Sequence, residues 1–246
     1  MSPRPDLVAA FLHWIEYFGL LAGLGSFVVR RLAGLKPRLD WVRPPMQLAF
    51  AAALGGGFLL LLQHPSWPGA VRVACEGAAF YLCVSGDRYV APFGVLAALV
   101  LPFSSHAALV FPAAGAEFAD ALHVVSAGMW AGGILALASL RPPGGWGGEE
   151  AHVLLDRFGR IAFIAFGVTA LTGVLRATEQ LVQVSDLWTT TYGVVLTLKS
   201  AGVLVMAALS ALGWRRGFPV ARMETATTAA VVALTALLAS IPVDAG

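Results

Sequence analysis

Asp120-Ala-Leu-His-Val-Val-Ser-Ala-Gly-Met-Trp-Ala-Gly-Gly133 places a carboxylate, an imidazole and an indole inside an otherwise apolar run. At about 100° per residue, Asp120, His123, Ala127 and Trp130 fall along one stripe of a helix, and Gly128 and Gly132 fall nearly opposite. A small-xxx-small pair lets a second helix backbone approach closely. This helix therefore carries one polar stripe and one close-packing stripe, and can show neither to lipid. It belongs in the middle of a bundle.

The chain around it has 246 residues, of which 58% are hydrophobic and 12% charged, and its mean hydropathy is +0.78. Soluble domains are usually about a quarter charged, so this is the composition of an integral membrane protein, all-α and polytopic. The net charge of +2 does not imply nucleic acid. Most Arg and Lys lie in short segments between apolar runs, as membrane orientation requires. Cys75 and Cys83 stand eight residues apart on one expected helix. That is about 12 Å of rise, beyond the roughly 7 Å reach of a disulfide, so cysteine says nothing about compartment.

The runs predict eight transmembrane helices, at about 7–30, 42–62, 68–86, 90–111, 117–140, 156–181, 190–213 and 222–243, in one transmembrane domain spanning 1–246. Some twenty apolar residues cross about 30 Å of hydrocarbon. The first run is too long for a signal-peptide core, lacks a small-x-small cleavage site and carries its positive cluster on the far side, so it reads as a retained span. The run 68–86 is weaker because it holds Arg72 and Glu76. Four residues apart, these can pair within their own helix as a self-neutralising structural couple. Pro102 should kink the fourth helix just before Ser104, Ser105 and His106.

Basic residues set the orientation. They follow the first run (Arg30, Arg31, Lys36, Arg38, Arg43), the third (Arg88), the fifth (Arg141, Arg157, Arg160) and the seventh (Arg215, Arg216, Arg222), while the other connections have none. Both termini then lie outside the cytoplasm. Trp14, Trp67 and Trp188 mark the outer interface and Trp41, Trp146 and Trp214 the inner one, with Trp130 near mid-membrane.

That topology places His13 and Glu16, Arg72 and Glu76, His106, Asp120 and His123, and Arg176 and Glu179 in the outer half, and Lys199 near the midplane. The inner half is nearly free of such groups. Each costs at least about 2.5 kcal/mol against lipid, so each faces protein or water. Polar chemistry is thus expected from the outer face. Three histidines from three helices at similar depth form a metal-ligand constellation, since imidazole suits copper, zinc, iron and nickel and a neighbouring carboxylate, Glu16 or Asp120, can fix a ring's tautomer. The alternative is three separate buried histidines, each satisfied by such a carboxylate. His64 and His152 read as solvated loop residues. Met129 and Met206 carry thioethers suited to Cu(I), although methionine in a membrane helix more often packs. Lys199 either neutralises a carboxylate or sets the field near the site.

These residues resemble the copper-resistance D family of bacterial inner-membrane proteins. The likeness is carried by Leu-His-x6-Trp-x-Gly-Gly at Leu122 to Gly133, by Arg157-Phe-x-Arg160 followed by Thr172-Gly173, and by Leu187-Trp-Thr-Thr-Thr-Tyr-Gly-x5-Lys199. Leu12-His13 and His106-Ala-Ala match more weakly. The chain departs from the family pattern at Ser105, Thr191, Val194 and Gly213-Trp214. The resemblance implies a multi-pass protein of the bacterial inner membrane that takes up or relays copper, in partnership with a periplasmic copper-binding protein. By position, His13, His106 and His123 are the implied copper histidines; Glu16, Asp120, Met129, Trp130 and Lys199 are expected around them or along a path. No enzyme activity is expected. The alternative is a redox protein holding haem b between histidines of adjacent helices, because a similar-looking family with a His-x6-Trp-x-Gly-Gly-like helix works on porphyrins. A third histidine at the same depth favours copper.

Overall fold

The computed structural model describes residues 6–86, 89–104, 113–180, 183–216 and 221–241. Helix α1, Leu7–Ala33, starts where the Asp6 carboxylate caps the amides of Val8 and Ala9 at 2.9 and 3.1 Å. It ends with Arg30 and Arg31 in its last turn, where cations offset the helix dipole. Helix α2, Met46–Gln63, begins four residues later than the apolar pattern suggests, because residues ahead of Pro44 and Pro45 are biased away from helical geometry. Helix α3, Trp67–Ser85, is capped by the Ser66 hydroxyl on Gly69 and stops at Gly86, whose φ of 76° lies in the left-handed region. Helix α4, Val90–Val100, tightens into a 3-10 turn at Leu101–Ser104, around the proline that cannot donate. The rest of the expected fourth span lies outside the described residues.

Helix α5, Ala113–Ala127, runs through a π turn, Gly128–Gly132, into α6, Gly133–Ala138. Helices α7, Glu149–Gln180, the single-turn α8, Asp186–Thr189, α9, Thr191–Arg216, and α10, Ala221–Ala239, complete the chain. Among the described residues, six helical stretches are long and apolar enough to cross a membrane: Leu7–Ala33, Met46–Gln63, Gly115–Ala138, Glu149–Thr178, Thr191–Gly213 and Arg222–Ala239. Helices α3 and α4 occupy the two remaining expected runs; α3 carries Arg72 and Glu76, and α4 is shorter.

The glycine stripe does what its spacing predicts. A Cβ on Gly132 would overlap the Leu21 carbonyl of α1, and one on Gly128 would stand 2.7 Å from Leu24 Cδ1. Helix α1 is the hub, packing against α2, α4, the α5–α6 rod, α7 and α10. The opposite side of the rod faces α7, where the Trp130 and Phe166 rings meet edge-on with centroids 4.7 Å apart. Without a hydrophobic drive between helices in lipid, such close approach and dispersion contact supply the association energy.

One core, built on Val29, Trp130, Ile134, Leu137, Leu154 and Phe158, fills the end of the bundle bearing the basic loops. A second joins Leu20, Leu24, Phe50, Ala53, Ala79 and Ala97 of α1 to α4. By contrast α9 bares Leu198, Leu204 and Val205 along an apolar face.

Candidate functional site

The N-terminal halves of α1, α3 and α5 and the C-terminal parts of α2 and α7 share one end of the bundle, and the polar side chains gather there in two clusters. In the first, His13 and Glu16 lie one turn apart on α1, and Arg72 and Glu76 one turn apart on α3. Glu16 and Glu76 are wholly buried and Arg72 nearly so. Arg72 Nε stands 2.6 Å from Glu16 Oε1. The guanidinium thus reaches past α2 to a carboxylate on α1, in addition to the Glu76 expected beside it on α3. Gly57 of α2 makes the opening, since a Cβ there would lie 2.5 Å from Glu76 Oε2 and 2.7 Å from Glu16 Oε1. Two carboxylates therefore share one guanidinium. His13 Nδ1 is 3.6 Å from Glu16 Oε2, and its ring lies beside Tyr17.

The second cluster joins α5, α7 and α9. His123 Nδ1 lies 3.1 Å from the Thr169 carbonyl oxygen and 3.1 Å from Thr172 Oγ1. A carbonyl has no proton to give, so Nδ1 carries the hydrogen and Nε2 keeps its lone pair. That is how a ligating imidazole is ordinarily held. The holders are themselves fixed: the Thr169 hydroxyl donates to Ala165 O at 2.8 Å, the Thr172 hydroxyl to Val168 O at 2.7 Å, and Ser126 Oγ lies 2.8 Å from Thr169 Oγ1. Gly173 packs against the ring, its Cβ position being 3.4 Å from His123 Cε1, in ordinary contact. One turn before His123, Asp120 meets Arg176 Nε at 3.5 Å. Lys199 on α9 acts electrostatically on both Asp120 and His123.

His13 and His123 thus sit on neighbouring helices at one end of the bundle, each engaged by its own partners. His106 lies outside the described residues. Helix α1 does pack against both α4 and α5, the neighbourhood a shared site would need. Among the described residues no three His, Cys, Asp or Glu side chains stand together as metal ligands. Met206 is buried in the first core and Met129 packs against it. His64 and His152 are exposed; His64 caps the end of α2 as a loop residue would, whereas His152 stands in the first turn of α7 rather than in the expected loop. The end of the bundle expected to lie inward is less apolar than the sequence suggested: Glu224, in the first turn of α10, is buried and accepts a hydrogen bond from Ser210 of α9 at 3.1 Å. Ser126 and Thr169 escaped the sequence reading because hydroxyls are common in membrane helices, while the glycines at 55 to 57 read only as close-packing residues. Only Thr172-Gly173 was signalled, through the family likeness.

Fold and site together define a multi-pass helical membrane protein with a histidine and carboxylate cluster at one end. Residues 152–245 match the family model described as copper resistance protein D. The likeness to that family is borne out over α7 to α10, which include the threonines that hold His123. A curated relative, the copper transport protein CutJ of Bacillus subtilis (strain 168), is 33% identical over 123 residues, or 49% of this chain and 22% of the relative. The chain therefore spans only about a fifth of that relative's length. No solved structure matches the chain significantly.

Proposed function

We propose that this chain is a non-enzymatic copper-handling protein of the bacterial inner membrane. It crosses the membrane eight times with both termini outside, and takes up or relays copper from the periplasmic side through His13, His106 and His123. The observation that carries this reading is the hold on His123. A segment of copper-resistance D type grips its Nδ1, the hold that keeps a lone pair on Nε2, at the end of the bundle that also bears His13. Glu16 orients the His13 ring, Asp120 balances charge beside His123, and Met129, Trp130 and Lys199 line the way inward. A periplasmic copper-binding protein is the proposed donor.

Metal analysis of the purified protein, with its absorption spectrum, tests this. One copper per chain is expected, lost when His13, His106 and His123 are all changed to alanine. Asp120→Asn should weaken binding by about 10- to 100-fold, less than His123→Ala does. Unchanged copper in the triple variant, or a Soret band in place of copper, overturns the reading. The orientation has its own check. A reporter active only in the cytoplasm should work between Gly144 and Gly148 and be silent after Gly246.

A further inference from the structure

At the opposite end of the bundle, the segment after α1 folds back as a built loop. Leu39 N donates to Ala33 O at 2.9 Å and Val42 N to Leu39 O at 3.2 Å, while the Leu39 and Val42 side chains are buried in the core. Arg157 of α7 pins the loop from below: its guanidinium donates to Leu32 O at 2.9 Å, Leu35 O at 3.3 Å and Pro37 O at 3.1 Å. Beside this loop lies a half-open cavity of about 360 Å³, lined by Arg30, Arg38, Arg43 and Asp40 together with apolar residues such as Ala33 and Pro44. The three arginines are exposed. Among the described residues none of them has a carboxylate within ion-pair distance. Three arginines and a single carboxylate thus line one concavity at the end of a membrane-length helix.

Guanidinium forks suit phosphate oxygens, taking two at once. Basic clusters next to a span, with an apolar wall, suit a headgroup whose acyl chains remain in the bilayer. We propose that this cavity is a binding site for the phosphate of an anionic phospholipid headgroup, held by Arg30, Arg38 and Arg43. The site is separate from the histidine end and independent of copper. A diffuse positive field, the ordinary business of a basic loop, would not distinguish these arginines from their neighbours Arg31 and Lys36, which do not line the cavity.

The test uses that distinction. Detergent-purified protein is titrated with phosphatidylglycerol, with phosphatidylcholine and with inorganic phosphate, and bound lipid is read by native mass spectrometry. The wild type should retain one phosphatidylglycerol in preference to phosphatidylcholine. The Arg38→Gln/Arg43→Gln variant should bind it roughly tenfold more weakly or worse. The Arg31→Gln/Lys36→Gln variant, with the same change in charge, should stay within about twofold. Equal losses in the two variants, or equal retention of phosphatidylcholine, overturn the site. Displacement of the lipid by inorganic phosphate at comparable concentration overturns the lipid assignment.

Discussion

The two polar clusters share one end of the bundle and differ in how they are closed. Around Gly57, Glu16 and Glu76 are 0% exposed, and Arg72 is the guanidinium that meets them. Between α5, α7 and α9, the Asp120–Arg176 pair keeps 20% and 14% of its side-chain surfaces open, and His123 is held by hydroxyls and a carbonyl. The first cluster sits where glycines press α1 and α2 together; the second sits where α9 is loosely clasped and shows most of its apolar surface outward. Charge buried by tight packing can be tuned only by changing the packing. Charge left partly open can exchange partners with an incoming ion, which is what relay requires.

Arg72→Met would break the comparison most severely. It leaves two buried carboxylates facing each other, and should cost about 3–5 kcal/mol of stability, read as a lower unfolding midpoint in detergent or a loss of folded yield. Wild-type stability in this variant would mean that the first cluster is as open as the second. Gly132→Leu should come next, at about 1–3 kcal/mol or more from overpacking against the Leu21 carbonyl. Its loop control is Gly147→Ala, where nothing lies within 4 Å. Gly144 does not serve, because its φ of 73° strains any L side chain. Equal tolerance at 132 and 147 would place the α5–α6 rod at the periphery.

Arg176→Met should cost less, roughly 1 kcal/mol, as expected of a pair that is left partly open. A loss as large as that of Arg72→Met would mean that the second cluster is sealed as well. Thr172→Val has the smallest expected effect on stability, under about 1 kcal/mol, with the Thr169 carbonyl still holding Nδ1. Copper affinity should nonetheless fall as the ring loosens. Unchanged affinity would show that the carbonyl alone positions His123.

Much of this architecture follows from sequence because its causes are local. Hydrophobic length gave the helices, Asp6 and Ser66 their starts, Gly86 one of their ends, and the Gly128/Gly132 spacing the face that α1 covers. The family likeness marked Thr172-Gly173 and the segment that holds His123. Local pattern could not say which carboxylate Arg72 would meet. The i,i+4 spacing to Glu76 is a property of one helix, whereas the contact with Glu16 exists only because α1, α2 and α3 pack around a residue with no side chain. The same holds for the hydroxyls behind His123 and for the Ser210–Glu224 bond: each joins residues from different helices. Chain periodicity determined which faces must be hidden. Only the packing of those faces, through contacts a few ångströms long between residues far apart in sequence, decided which polar groups meet.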